Sequence, residues 1–117
     1  MRVMVLVKAT EVSEKEAASP EWTRQMLEEM GKFNQQLKEA GVLLAAEGLQ
    51  PTSRAKRLAF DGSRRTVIDG PFTETKELVA GYWIWQVKDM DEATSWAKRC
   101  PNPMPVPSEI EIRPLYE

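Results

Sequence analysis

Several ionisable side chains crowd into a short stretch in the second half of the chain. Asp69, Glu74, Lys76 and Glu77 lie within nine residues, and Glu47 belongs to a strand predicted upstream. Carboxylates held close together split their pKa values, so one acts as an acid while another acts as a base. Asp69 and Glu47 are therefore the candidate catalytic residues. A structural role competes for Asp69, because Asp before Gly-Pro commonly accepts backbone N–H bonds in a turn.

A second group of residues has the chemistry to hold a ligand beside those carboxylates. Each has a structural alternative: Phe72 as a plug of the core, Glu74 as a turn cap paired with Lys76, and Trp83 as a core aromatic rather than the lining of a pocket or dimer seam. The candidate ligand-binding residues are Phe72, Glu74, Lys76, Trp83 and Gln50.

The absence of histidine narrows the chemistry that this chain can carry. Its 117 residues include no His and one Cys, Cys100. This composition excludes Ser-His and Cys-His nucleophiles, an imidazole base and the common zinc sites. No Gly-rich dinucleotide or phosphate-binding motif occurs either, so we expect no metal and no cofactor. Cys100 ends a helical apolar stripe and is expected to be a buried, inert thiol.

Basic residues cluster around a predicted hairpin. Five of the 16 Lys and Arg residues lie there, against one acid at the Asp61-Gly62 turn. One interpretation is a solvated hairpin that resists edge-to-edge aggregation. The other is a docking patch for an acidic partner or an anionic ligand. The candidate partner-docking residues are Arg54, Lys56, Arg57, Arg64 and Arg65.

Two amphipathic helices are predicted to support these residues. Ser19-Pro20 begins the first, whose apolar stripe has helical spacing, and Gly41 ends it. Asp89 caps the second, which Pro101 stops. Residues 9–19, which are polar and small, are predicted to form a loop. The stripe of the first helix is Trp22, Met26, Met30, Phe33 and Leu37.

The remaining segments are predicted strands. Residues 2–8 form a strand buried on both faces, and further strands cover residues 42–49, 78–88 and 109–115. Strands at 54–60 and 64–69 form a hairpin at Asp61-Gly62. The resulting order of β-α-β, hairpin and β-α-β predicts an α+β, ferredoxin-like sandwich.

Composition bounds the architecture and the location of the protein. The length suits a single domain over residues 1–117. The formal charge of −2 argues against non-specific nucleic-acid binding, and no apolar run approaches the length of a membrane span. A single Cys suits a reducing compartment, so we expect a cytoplasmic protein. Large apolar residues on both faces of residues 82–85 predict a homodimer that covers the open sheet face.

The string from Val67 to Glu77 (VIDGPFTETKE) is a long and specific signature. It resembles the DGPF-domain branch of the YCII-related family, and the likeness covers nearly the whole chain. The resemblance implies a dimeric α/β barrel of ferredoxin-like subunits, with a pocket between helices and sheet or near the dimer seam. It also implies a sigma-factor or transcription-related partner, since some relatives occur beside alternative sigma factors. The wider family's proposed catalytic His-Asp pair has only Asp69 here.

Two functions remain open from the sequence. The favoured one is a dimeric, small-ligand-binding or regulatory module with a pocket near the DGPF string. The alternative is a metal-independent enzyme that uses Asp69 and Glu47 as acid and base. An exposed Asp69 that is already paired would favour the module, whereas a carboxylate in a closed pocket would favour the enzyme.

Overall fold

A four-stranded sheet, two long helices and a separate hairpin make up the chain, in a computed structural model that describes residues 1–117. Short 3₁₀ turns cover Thr52–Arg54 and Thr75–Glu77. The other elements in chain order are β1 (Arg2–Lys8), α1 (Glu11–Glu14), α2 (Pro20–Glu39), β2 (Leu43–Gly48), β3 (Lys56–Asp61), β4 (Arg64–Asp69), β5 (Val79–Gln86), α3 (Met90–Lys98) and β6 (Ile110–Pro114).

The main sheet has the strand order β2-β5-β1-β6, and all its neighbouring strands are antiparallel. It follows that β1 runs parallel to β2 with β5 between them, and β5 runs parallel to β6 with β1 between them. The two βαβ units therefore interleave in one sheet. This arrangement is consistent with the ferredoxin-like α+β fold predicted from the sequence.

Both long helices pack on the same face of this sheet. Phe33 and Leu37 of α2 and Ala93 of α3 join one core cluster with side chains of β1 and β5. Trp85 is fully buried at its centre. The strand residues of the cluster are Val3, Val5, Val7, Trp83 and Trp85.

The prediction that β1 is buried on both faces is wrong for the single chain. Val3, Val5 and Val7 are buried under the helices, whereas Met4 and Leu6 are half-buried on the opposite face. The cause is the one-sided helix layer, which also makes the molecule only 19 Å deep along its shortest axis. An unbroken apolar run in the sequence shows that both faces of a strand carry large side chains, but it does not show whether another element covers each face.

Both long helices begin where the sequence predicts, and α2 also ends there, whereas α3 ends at Lys98, before the Cys100 that the sequence places in its apolar stripe. The Ser19 hydroxyl accepts a hydrogen bond from the Trp22 N–H at 3.1 Å and caps α2. Gly41 follows α2 with a φ of 73°, a conformation that Gly adopts at little cost. The Asp89 carboxylate accepts from the Glu92 N–H at 2.9 Å and caps α3. None of the helices is long and apolar enough to cross a bilayer.

Residues 9–19 are not entirely a loop, which corrects the prediction. They contain the short helix α1, which begins at a capping box between Thr10 and Ser13. The Thr10 hydroxyl accepts from the Ser13 N–H, and the Ser13 hydroxyl accepts from the Thr10 N–H. A four-residue helix is too short to display an apolar stripe, so periodicity gives no signal for it.

The predicted hairpin is present, and it stands apart from the main sheet. β3 and β4 pair only with each other and turn at Gly62, which has a φ of 59°. Every residue of both strands is exposed. We call residues 56–69 the arm and the remainder of the chain the body.

Candidate functional site

An apolar cavity of about 280 Å³ lies between α2 and the sheet. It forms where the Met side chains of the α2 stripe lie over small residues of β2 and β5, including Ala46 and Gly48, and a Cβ at Gly48 would meet no atom within 4 Å. Pockets that bind small molecules are typically of this kind, with mostly apolar walls and few polar groups. The apolar lining is Val7, Met26, Leu27, Met30, Ala46, Tyr82, Trp83 and Met104.

Trp83 is held in a defined orientation at the cavity wall. Its indole N–H donates to the Asn34 side-chain oxygen at 2.8 Å. The Phe33 ring meets it edge to face, with ring centroids 6.2 Å apart and an angle of 86°. Because these two contacts fix the plane of the indole, a bound molecule would meet a preformed aromatic surface.

Glu47 borders the same cavity, but its side chain belongs to the other face of the sheet. The β2–β5 register pairs Ala46 with Trp83 and Glu47 with Tyr82. Since side chains alternate along a strand, Glu47 is directed away from the helices, and it is exposed. It forms no ion pair.

Asp69 lies at the base of the arm and not in this cavity. Its side chain is 72% exposed, and its carboxylate lies 2.6 Å from the ammonium of Lys56, its partner in the β3–β4 register. Asp69 is absent from the cavity lining that Glu47 borders. The two candidate acid/base residues are therefore in different surroundings, and Asp69 is solvated and paired.

The Gly-Pro-Phe part of the signature is a turn that docks on the segment before the arm. The Gly70–Pro71 peptide bond is cis, and the Gly70 N–H donates to the Ala55 carbonyl at 3.0 Å. A Cβ at Gly70 would lie only 1.7 Å from the Thr52 carbonyl oxygen, so no other residue suits this approach. The Phe72 N–H donates to the Thr52 hydroxyl at 3.0 Å.

A carboxylate from α1 completes this junction. The Glu14 side chain accepts a hydrogen bond from the Thr52 N–H at 3.0 Å and another from the Thr52 hydroxyl. The chain Glu14–Thr52–Phe72 thus connects three segments that are far apart in sequence. Hydrogen bonds to a charged acceptor are among the stronger ones, so the junction holds the base of the arm firmly.

Phe72 is half-buried at this junction and is not part of the core cluster, contrary to the prediction that it plugs the core. The Arg57 guanidinium lies 3.7 Å from the centroid of its ring. This cation–π contact covers the aromatic face that would otherwise meet solvent.

The other candidate ligand-binding residues are spread over the surface. Glu74 precedes the 3₁₀ turn without a side-chain cap bond and forms no ion pair with Lys76, which corrects both expectations for it. Gln50 is exposed and accepts from Arg54 at 3.4 Å. Lys76 borders a second, more polar cleft of about 580 Å³, together with Lys8 and Glu109.

Most of the basic residues near the arm already have partners within the chain. Arg54 pairs with Glu16 at 3.0 Å, and Lys56 pairs with Asp69. The Arg65 guanidinium lies 4.7 Å from the Phe60 ring centroid. Of the five predicted docking residues, Arg64 alone has neither an ion pair nor an aromatic contact.

The family of the chain is decided by its overall sequence. The family model described as the YCII-related domain matches residues 1–117. The chain belongs to the YCII-related family. An uncharacterized protein of Rhizobium meliloti (strain 1021) is 32% identical over 99 residues, which cover 85% of this chain and 80% of that protein.

Cys100 of this YCII-related domain is half-buried and free. Burial raises the pKa of its thiol to about 11, so the reactive thiolate is scarce at neutral pH. No group of three or more His, Cys, Asp or Glu side chains is arranged to hold a metal ion.

Sequence reasoning missed several residues that shape the YCII-related site. Asn34 orients Trp83. Glu14 and Thr52 hold the junction at the base of the arm. Met104 reaches the cavity from the Pro-rich segment before β6. Asn34 gave a usable signal, because it lies one residue from the α2 stripe, next to Phe33. Glu14 gave none, because its partner is 38 residues away.

Proposed function

We propose that this YCII-related domain is a non-catalytic, homodimeric module that binds a small, largely apolar molecule between α2 and the sheet. The observation that carries the proposal is the cavity itself. Its wall combines an oriented indole with three Met thioethers, which adapt readily to the shape of a bound molecule. Its single hydrogen-bonded amide, Asn34, is already occupied by Trp83.

The surroundings of Asp69 favour a binding module over an acid/base enzyme. A catalytic carboxylate is usually tuned by burial or by a neighbouring like charge in a cleft. Asp69 is instead 72% exposed and neutralised by Lys56, and Glu47 is directed to the far face of the sheet. The enzyme reading therefore lacks a pair of carboxylates that act on one substrate.

The homodimer is proposed from the face of the sheet that the helices leave open. Met4 lies opposite Ile84 and Leu6 lies opposite Tyr82 in the β1–β5 register, so four large side chains form a continuous apolar strip there. A second sheet packed on this strip would give the dimeric α/β barrel that the family resemblance implies. Membership of the DGPF branch, supported by the Asp69–Phe72 string, and a cytoplasmic location, supported by the lone free Cys, belong to the same proposal.

A fragment screen read out on the indole N–H groups tests the binding site. Neutral one- and two-ring aromatic fragments, with indole as the first probe, are added to ¹⁵N-labelled protein. We expect the Trp83 side-chain resonance to shift, because its N–H lies at the cavity wall, while that of Trp85, which does not line the cavity, stays in place.

A matched pair of substitutions then locates the bound fragment. Ala46→Leu fills the cavity and should abolish the shift, whereas Ala45→Leu places the same side chain on the opposite face and should preserve it. Failure of every fragment to move Trp83 at millimolar concentration would contradict the proposal. Binding that survives Ala46→Leu would contradict it too.

A further inference from the structure

The arm carries an apolar face that no element outside the arm covers. In the β3–β4 register Leu58 lies opposite Val67, and Phe60 lies opposite Arg65 on the same face. Leu58, Val67 and Phe60 are 53%, 57% and 70% exposed. The opposite face carries Ala59, Thr66 and other polar or small residues apart from Ile68.

Such an arm is not expected to stand alone in water. A two-stranded hairpin is at best marginally stable unless its apolar face packs on another element. The radius of gyration of the chain is 15.9 Å, against roughly 13 Å for a compact domain of this length, because the arm projects from the body. The arm is nonetheless firmly anchored at its base by Glu14 and Thr52, so it is held in a defined direction.

The charges of the arm and of the body are opposite in sign. The body holds 12 of the 16 basic residues and 16 of the 18 acidic residues, a formal charge of −4. The arm holds the remaining four basic and two acidic residues, a formal charge of +2. The body of a second copy is therefore electrostatically complementary to the arm.

One region of the body has the residue types that could cover the apolar face of the arm. It lies along β2, one of the two outer strands of the sheet, where Leu44 and Leu49 are 53% and 49% exposed. Between them lies Glu47, which is exposed and has no ion pair. We call residues 44–49 the β2 margin. It pairs two exposed leucines with an acid, as the arm pairs exposed apolar residues with Arg65.

We propose that the arm of each protomer packs its apolar face against the β2 margin of a second copy, with Arg65 beside Glu47 of the partner subunit. The exchange is reciprocal, so two arms close the dimer and leave no complementary surface free. This inference rests on the homodimer proposed above. It goes further, because it assigns a role in assembly to the arm and to Glu47.

Two neighbouring substitutions on β4 separate the two faces of the arm. Val67→Thr changes the apolar face, while Ile68→Thr makes a closely similar change on the opposite face. Dimer dissociation constants are measured by sedimentation equilibrium on the full chain. Since each dimer contains the substitution twice, we expect Val67→Thr to weaken the dimer about tenfold or more and Ile68→Thr to change it less than about twofold.

A charge reversal identifies the partner region. Glu47→Arg and Arg65→Glu should each weaken the dimer, and the protein with both changes should dimerise more tightly than either. Backbone chemical shifts of residues 56–69 check that each variant keeps its hairpin.

The outcomes of these measurements are distinguishable. A wild-type dimer indifferent to Val67→Thr overturns the arm contact and leaves the sheet-to-sheet dimer standing, with the arm free for a different, acidic partner. Weakening by Val67→Thr without recovery in the double reversal overturns the β2 margin as the docking site. A wild-type chain that stays monomeric at 100 μM on sedimentation overturns both proposals.

Discussion

Apolar side chains alternate along the strands of both the body and the arm, but they are buried in the body and exposed in the arm. In β1 the alternate residues Val3 and Val5 are fully buried, because two helices cover them. In the arm Leu58 and Phe60 alternate in the same way and remain more than half exposed. Alternation therefore reveals that a strand has an apolar face, while the covering element must be found separately.

The junction between the two regions belongs to neither pattern. It is a polar connection in which Glu14 binds Thr52, and Thr52 binds Phe72, which follows the arm in sequence and lies at its base. The arm therefore has a fixed attachment and an uncovered face. This combination suits a structural element that meets its partner in a prescribed direction, since little orientational freedom remains to be lost on binding.

The largest contrast should come from truncating one aromatic residue in each region. Trp85→Ala removes a fully buried side chain from the core and should lower the free energy of unfolding by about 3–5 kcal/mol. Phe60→Ala removes a side chain that is 70% exposed and should cost less than about 1 kcal/mol in dilute protein. Urea denaturation at low micromolar concentration measures both.

Protein concentration sharpens this contrast. The cost of Phe60→Ala should grow as the protein is concentrated, because stability gained by association follows mass action. The cost of Trp85→Ala should change little. Equal costs for the two substitutions in dilute protein would abolish the distinction between a covered body and an uncovered arm.

Much of this architecture could be predicted from local signals. Ser19 and Asp89 predict the helix starts, Asp61-Gly62 predicts the hairpin, and the order of the elements predicts a ferredoxin-like fold. Local signals could not predict which face of each strand would be covered by another element. The run at β1 predicted burial on both sides, and only the one-sided placement of α2 and α3 explains why Met4 is half-buried.

Two glycines should respond in opposite directions to the same substitution. Gly70→Ala places a Cβ 1.7 Å from the Thr52 carbonyl oxygen, so the junction must separate, at a cost of at least about 2–3 kcal/mol. Gly31→Ala lies within α2 and meets no atom within 4 Å, so it should stabilise the protein by about 0.5–1 kcal/mol. Thermal unfolding of both variants provides the comparison. If Gly70→Ala left the thermal stability unchanged, the junction would be able to rearrange at little cost, and the arm would not be held in a fixed direction.

A Thr→Val pair tests the polar junction more gently. Thr52→Val keeps the shape of the side chain but removes the hydroxyl, which leaves the Phe72 N–H and one Glu14 oxygen without that partner. The expected loss is about 1–3 kcal/mol, together with faster hydrogen exchange at the Phe72 amide. Thr66→Val on the exposed arm is the control and should stay within about 0.5 kcal/mol of wild type. Similar losses of stability in both variants would show that the Thr52 hydrogen bonds do not stabilise the junction specifically.

The candidate site was less predictable than the fold, for a reason visible in its residues. Trp83 was singled out by its strand, but its partner Asn34 is 49 residues away. Asp69 and Glu47 are both acidic and so are candidates for one site, yet the register directs Glu47 away from the helices and the arm carries Asp69 into solvent. Spacing along the chain identifies chemical types, whereas their meeting depends on tertiary contacts.

The smallest effect should come from the residue that looked most like a catalyst. Asp69→Asn removes an ion pair whose two side chains are 68% and 72% exposed, and such pairs contribute less than about 1 kcal/mol. We therefore expect nearly unchanged stability and an unchanged shift of the Trp83 indole when indole is added. A cycle that combines Asp69→Asn with Lys56→Met measures the pair itself. Loss of indole binding in Asp69→Asn would show that the base of the arm is coupled to the cavity in the body. Asp69 would then be part of the binding site, contrary to what its exposure indicates.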